Sequence, residues 1–431
     1  MKVHLKALGC RLNEAELEQW SIAFQADGHT VTNTATDADL MVLNTCAVTN
    51  DASRKSRNLI NRLHRENSTA KLVITGCHAS LNPNEVADTH GVDLVVSNDK
   101  KSSLPEIIST QLMPSTMPLR ATNPDDIALY NRHRQRAFIK VQDGCRYRCA
   151  FCIVTHARGN EISRPVDDII TELNFLHTQG VQEAVLTGVH VGGYGSDIDA
   201  SLYQLVETIL ADTDIPRIRF ASVEPWDLGD QFFELFSNRR LMPHMHLPLQ
   251  SGSNTVLKRM SRRCKTEDFA QLVNDARDTI PGFNITTDII AGFPGETEQE
   301  WRQTMEFVEQ TGFGHIHIFP YSPRSGTKAA SMPDQVELEI KRARCKQLAE
   351  LAERLKANVL EQALNESAEV LWESPKQSAR TGHQHYRGYT NNFLRAQIDV
   401  ADDLDLSSKI TAVKITSIDQ DKLLLNAELH Q

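Results

Sequence analysis

The chain has 431 residues, 40% of them hydrophobic and 24% charged, with a formal net charge of −10 and a pI near 5.9. This is the composition of a globular protein of two to four domains, with no repeat and no low-complexity tract. The acidic balance argues against a generic nucleic-acid binder and leaves local basic patches open. The opening MKVHLKALGC reads as a strand, not a leader, and no apolar run approaches the roughly 18 residues that span a bilayer, so a cytoplasmic location is expected.

Residues 1–111 read as an α/β parallel-sheet unit. KVHLKAL is a strand, and residues 13–27 carry Leu17, Trp20 and Phe24 at helical spacing. LMVLNT is a continuous apolar strand, 53–67 a basic helix, and KLVITG and VDLVVS two further strands. Such alternation implies a parallel sheet with helices on its faces. Residues 111–131, with Pro114, Pro118 and Pro124, read as a linker.

From 131 to 362 the alternation resumes. Strands are predicted at 137–142, 182–187, 217–221, 244–248, 284–290 and 314–319, with helices near 167–179, 200–210, 228–238, 266–279 and 297–311. Six βα steps suit a partial (β/α)6 barrel, and a long charged amphipathic helix follows over 338–365. Residues 364–431 change character: AEVLWES, KITAVKITSID and KLLLNAEL are β runs of a small all-β barrel.

Eight cysteines in a reducing compartment are poor candidates for disulfides. Cys145, Cys149 and Cys152 stand as C-x3-C-x2-C in VQDGCRYRCAFCIVTHARG. Among Gly144, Arg146, Tyr147 and Arg148 they do not form a core pattern. Zinc would need a fourth ligand, which His156 could supply. A 4Fe-4S cluster held by three thiolates, with one iron open to an exogenous chelate, fits the set better.

Cys10, Cys46 and Cys77 form a second set, in LGCRLNEAE, NTCAVTN and ITGCHAS, each at the C-terminal end of a predicted strand. Parallel sheets gather ligands at that edge. Cys264 and Cys345 are assigned no ligand role.

The first triplet, just after a strand, resembles the cluster motif of radical S-adenosylmethionine (SAM) enzymes, in which SAM occupies the fourth iron. The resemblance implies a 5′-deoxyadenosyl radical that abstracts hydrogen from carbon. It also implies that Glu224, Gln250 and Ser251 face SAM, and that the turn over 292–297, with Gly292, Pro294 and Gly295, packs by its adenine. Both triplets in order, with HLPLQSGS and GFPGET, resemble the methylthiotransferases over nearly the whole chain. That likeness implies an N-terminal cluster domain, a radical SAM core and a C-terminal TRAM barrel that binds RNA. It further implies two 4Fe-4S clusters, two SAM per turnover and an electron donor of the flavodoxin or ferredoxin type. One SAM would methylate sulfur carried on the Cys10/Cys46/Cys77 cluster, and the second would supply the radical.

Three substrates occur in such a family: threonylcarbamoylated adenosine and isopentenylated adenosine next to the tRNA anticodon, and an aspartate of a ribosomal protein. NTCAVTN and HIFPYSPRSGTKAA resemble the threonylcarbamoyladenosine type, with Arg324 and Lys328 as cationic partners for its carboxylate. An isopentenyl group would call for an apolar pocket. For RNA, Lys376, Arg380, His383, His385, Tyr386, Arg387, Tyr389 and Phe393 offer charge and rings, and basic runs lie at 53–65, 132–140 and 258–263. CIVTHARG departs from the family pattern, with Thr155-His156 where a proline–aromatic pair is common.

Overall fold

A computed structural model describes residues 1–112, 135–229, 231–377 and 382–430. Most of the expected linker, and Arg380 with the start of the basic run at 132–140, lie outside them. The chain divides into two compact units. One comprises Met1–Arg132, Gln142–Ile162 and Ser322–Thr327, the other His133–Val141, Ser163–Tyr321 and Lys328–Gln431. No helix among the described residues is long and apolar enough to cross a membrane.

The first unit is built on a five-stranded parallel sheet in the order Thr30–Thr32, Lys2–Ala7, Leu40–Thr45, Lys71–Gly76, Leu94–Val96. The central strand shows why LMVLNT is apolar throughout. Leu40 and Val42 join one core with Leu17, Trp20 and Phe24, while Met41 and Leu43 join another with Leu59, Ile60 and Leu63. Alternate side chains point to opposite faces, and helices cover both. Helix Asn50–Glu66 starts where Thr49 Oγ1 accepts from the Ala52 amide at 3.1 Å. Its outward bases are matched along the surface: Arg54 and Lys55 by Asp51, Arg57 by Glu85, Arg62 by Glu66. The basic helix expected from the sequence is thus largely neutralised by its neighbours.

In the second unit six parallel strands follow chain order: Arg136–Lys140, Glu183–Thr187, Arg217–Phe220, His244–His246, Asn284–Ala291 and His315–Pro320. Bridges Ile218↔Leu241 and Ser222↔His246 join the two halves. Among the described residues no pairing joins the first strand to the last, which makes the partial barrel. One predicted helix, near 228–238, is instead a 3-10 helix, Phe232–Ser237. Phe232, Phe233 and Phe236 crowd together there, and Phe233 and Phe236 pack on Phe283 at 6.1 and 5.6 Å between centroids. Side chains three apart eclipse in this tighter coil, which suits a short aromatic knot.

Helix Glu298–Thr311 opens with a capping box between Thr297 and Glu300. Glu300 also takes two 2.8 Å bonds from Arg259 and one of 2.6 Å from Thr255. Chiefly through Arg259, its carboxyl is held down to about 2. A depressed carboxylate stabilises the fold above its unfolded pKa and loses that contribution as pH falls through the folded one. Allowing for solvent screening, Glu300→Gln is expected to cost about 1–2 kcal/mol near neutrality. Urea unfolding of both proteins should show that difference shrinking between pH 4.5 and 2.

The C-terminal strands Ser367–Trp372, Ile410–Asp419, Leu424–Leu429, Arg395–Ala401 and His383–Thr390 close into a barrel when the first pairs back onto the last. Val370, Trp372, Tyr386, Ile398 and Val413 fill it. Tyr386 is therefore core and cannot stack on a base. Tyr389 and Phe393 are also engaged: they stack 4.6 Å apart, Arg136 lies 4.4 Å over Tyr389, and Arg219 lies 4.8 Å over Phe393. The turn carrying Phe393 is anchored under the partial barrel, where Asn391 O accepts from Arg219 and Asn392 O from Asn284. Of the expected RNA-facing set, Lys376 is exposed, and His383, His385 and Arg387 are half-buried.

Candidate functional site

Cys10, Cys46 and Cys77 sit where their strands end, and glycine makes the approach possible. Gly9 has φ +99°, and a Cβ there would lie 2.5 Å from Cys46 Sγ. Gly76 has φ +95°, and its Cβ would lie 2.3 Å from Thr45 O. Gly144, before Cys145, has φ +71° and would meet Asn160 O at 1.8 Å. Three of the six cysteines thus follow a glycine in the left-handed region, which a side chain could not occupy without strain.

Around the first strand-end set, Ser56 Oγ donates to Cys46 O at 2.9 Å and accepts from its amide at 3.2 Å. Asn98 Nδ2 lies 3.8 Å from Cys77 Sγ and donates to Ala157 O at 2.6 Å. Cys46 and Cys77 are buried, whereas Cys10 reaches solvent. In the loop of the second set, Val154 N donates to Cys152 Sγ at 3.4 Å and Cys152 N to Cys149 O at 3.0 Å. Thr155 Oγ1 donates to Tyr147 O at 2.9 Å, so the residue that departs from the family pattern pins this loop. Burial pushes the Cys46 thiol up to about 11 and the Cys145 thiol up to about 12. Metal binding here would expel protons, since thiolate is the ligand form.

Both triplets belong to the first unit, and one buried ion network ties them together. Arg158 follows the second set, with its side chain 2% exposed. It donates to Asp143 Oδ1 at 2.8 Å, Asn13 Oδ1 at 2.8 Å and Glu16 Oε1 at 3.2 Å. Glu16 in turn takes Lys101 Nζ at 2.7 Å and Asn44 Nδ2 at 2.8 Å. Burial works against the charge on Arg158, but Glu16, Cys77, Asp143 and Cys10 outweigh it and raise its pKa. Its charge is therefore felt by sulfurs of the strand-end set.

The donor geometry bears on the metal. Among the described residues, the three sulfurs of neither triplet all lie within 4.8 Å of one another, although Cys145 Sγ by itself falls in a mixed group of potential ligand atoms. A single zinc with bonds of about 2.3 Å would draw its sulfurs to about 3.8 Å apart. Thiolates that each bind a different iron of a cluster stand further apart, and three-thiolate sets suit that chemistry. The residues fit iron–sulfur better than zinc, and neither triplet needs His156.

In the second unit the residues expected to face SAM follow strand ends. Glu224 Oε2 takes Arg262 Nη2 at 2.7 Å, and Arg262 lies 4.3 Å over Trp226. Gln250 adopts φ +77° beside Ile289, an unusual backbone for a non-glycine residue. Ser251 is fully buried and bonds Thr304 Oγ1 at 3.2 Å, which pins its loop to a helix. Gly292 (φ +75°) donates to Glu296 Oε2, and Arg344 donates to the same oxygen, both at 2.7 Å. Gly295 N bonds Asp334 O at 2.8 Å, so the turn around Pro294 is held from both sides. On the neighbouring strands His246, Asp288 and His317 bring their polar atoms within 4.8 Å, a cluster the sequence reading did not single out.

The first unit also holds a cavity of about 450 Å³ lined by Ser53, Arg57, His78, Ile153, His156 and Arg324 among others. Lys328, the other cation expected to meet a carboxylate, is not in its lining.

Residues 2–97 match the family described as Uncharacterized protein family UPF0004, and residues 139–308 match the radical SAM superfamily. The chain is 35% identical to the threonylcarbamoyladenosine tRNA methylthiotransferase MtaB of Bacillus subtilis (strain 168), over 96% of this chain and 93% of that protein. It is 37% identical to the protein of the same name from Chlamydia pneumoniae, over 89% of each. The chain belongs to the MtaB-type methylthiotransferases. It is thus a radical SAM enzyme that uses SAM and iron–sulfur chemistry. A tRNA-2-methylthio-N(6)-dimethylallyladenosine synthase of Bacillus pumilus (strain SAFR-032) is 32% identical over 97% of this chain and 85% of that one. In fold, the chain resembles the radical SAM methyltransferase TsrM from Kitasatospora setae, with a TM-score of 0.57 at 16% identity over 76% and 75% of the two chains.

For a methylthiotransferase with this glycine–cysteine geometry, Gly144→Ala is expected to be severe. The left-handed backbone alone costs about 1–3 kcal/mol with a side chain. The added carbon also collides with Asn160 O. Iron bound after anaerobic reconstitution should fall, while the circular dichroism of the folded protein stays close to wild type.

Proposed function

We propose that this enzyme transfers a methylthio group to C2 of N6-threonylcarbamoyladenosine next to the anticodon of tRNA, in the cytoplasm. One observation carries the reading: two cysteine triplets share one unit and one buried network through Arg158. The relatives of 35–37% identity that bear the threonylcarbamoyladenosine name support this substrate.

In this reading Cys145, Cys149 and Cys152 hold one 4Fe-4S cluster, and Cys10, Cys46 and Cys77 hold a second. Together with two SAM molecules, these groups would supply the electron, the hydrogen-abstracting radical and the sulfur. The chain's own residues position and insulate. Arg158 balances Glu16 and Asp143 beneath the thiolates. Glu224, Gln250 and Ser251, with the turn of Gly292, Pro294 and Gly295, shape the SAM side. The proposed domains are 1–111 for the second cluster, 131–362 for the radical SAM core and 364–431 for an RNA-binding TRAM barrel. Lys376, His383, His385 and Arg387 are the barrel residues left to meet phosphate. An electron donor of the flavodoxin or ferredoxin type completes the partners.

Mass spectrometry of nucleosides from bulk tRNA, with and without the gene, tests the proposal. The expected result is loss of 2-methylthio-threonylcarbamoyladenosine with accumulation of its unmethylthiolated parent. Loss of the isopentenyl derivative instead would overturn the substrate. An unchanged tRNA profile would point to the ribosomal-protein aspartate.

A further inference from the structure

The 450 Å³ cavity of the first unit adjoins both cysteine sets in sequence and space. His78 follows Cys77, Ile153 follows Cys152, and Ser53 and Arg57 flank Ser56, which bonds the Cys46 backbone. Its polar groups are left incomplete. Arg324 donates Nη1 to two neutral oxygens, Asn50 Oδ1 at 2.7 Å and Ser53 Oγ at 3.2 Å, while its buried Nε has no partner. Among the described residues no carboxylate lies within 4 Å of that guanidinium. His78 is 1% exposed, and its Nε2 is also buried without a partner. Asn82 Nδ2 lies 3.3 Å from His78 Nδ1, which makes Nδ1 the acceptor and leaves the proton on Nε2. Arg57 completes the wall, and the charges of the two arginines oppose each other there. Its one acid, Glu85, is 3.2 Å away in a pair about half-exposed on both sides, which holds it weakly.

The N–H groups of Arg324 Nε and His78 Nε2, both buried without a partner, cost free energy unless a ligand completes them, and the half-exposed Arg57 adds a second guanidinium at the wall. They call for an anion with further acceptors, and the volume lies within the range of small-molecule pockets. A dimethylallyl group offers neither charge nor acceptor and would leave the buried donors of Arg324 and His78 without a partner. We propose that this cavity seats the threonylcarbamoyl substituent of the substrate base, with Arg324 and Arg57 binding its carboxylate and His78 Nε2–H donating to its ureido oxygen. This rests on the substrate reading above and adds the residues that select it.

The test uses reconstituted enzyme and three anticodon stem-loop RNAs. One carries threonylcarbamoyladenosine, one its methyl ester, and one dimethylallyladenosine. Wild type should prefer the free carboxylate to the ester by about tenfold to a hundredfold in binding and in kcat/KM, the worth of a charge-assisted hydrogen bond. Arg324→Gln and Arg57→Gln should each shrink that ratio, and Arg324→Lys should keep part of it. A misfolded variant would lose all three RNAs alike, so the ratio isolates the pocket. If wild type discriminates and neither arginine variant changes the ratio, the pocket assignment is wrong and the substrate stands. If wild type acts on the dimethylallyl RNA and not on the threonylcarbamoyl RNA, both fall.

Discussion

Replacing Cys149 by alanine is expected to abolish both SAM cleavage and sulfur insertion, whereas replacing Cys10 is expected to stop only insertion. The two residues belong to different sets: Cys149 lies in the loop before helix Val154–Arg158, Cys10 at the start of helix Arg11–Ala26. A cluster missing one of three thiolates loses its reducing iron site, so no 5′-deoxyadenosine should form in the Cys149 variant. On the proposed reading, the Cys10 variant keeps that chemistry and lacks only the holder of the transferred group. Chromatography of 5′-deoxyadenosine and of modified nucleoside in the same reaction separates the two. Iron should fall from about eight per chain toward about four in each variant. A Cys10 variant that still methylthiolates RNA would refute the assignment of the strand-end set.

Arg158→Met should be the most damaging single change outside the cysteines. The substitution keeps length and removes the guanidinium, itself 2% exposed, that donates to Asp143 Oδ1 and Glu16 Oε1. Breaking a buried pair from one side costs about 3–5 kcal/mol, a large part of a domain's stability. Urea denaturation should show that loss. The double variant Arg158→Met with Asp143→Asn should recover part of it, because one of the charges that Arg158 balanced is gone as well. Both cysteine sets should load less iron in the single variant, since its network supports both.

Much of this was legible in the sequence because it is local. LMVLNT announces a strand buried on both faces, and six βα steps announce the partial barrel. The C-x3-C-x2-C run is legible because its spacing is a property of the chain itself, and Cys10, Cys46 and Cys77 are legible because each ends a predicted strand. What the sequence hides is what folding brings from afar. Glu16 and Arg158 lie 142 residues apart, and neither position carries a local pattern. His78 looks like an ordinary neighbour of a cysteine until its bare Nε2 is seen in a cavity. Tyr386, Tyr389 and Phe393 read as RNA contacts because aromatics among bases look exposed; strand register sends the first inward, and docking claims the other two. One clue was present and unused: three cysteines directly follow a glycine, the residue demanded by a left-handed turn in a crowded place.

The turn through Asn391, Asn392 and Phe393 has a consequence for modularity. Arg217, Arg219 and Asn284 reach it or the adjoining strands from the base of the partial barrel, and Phe393 is held at φ +67° with its ring against His244, 4.6 Å between centroids. The C-terminal barrel is therefore not a bead on a string. A barrel grafted from a relative would have to bring a matching plug or leave Arg217 and Arg219 short of the carbonyl oxygens of Glu369, Tyr389 and Asn391, so chimeras should succeed only when the base and the turn are exchanged as one piece.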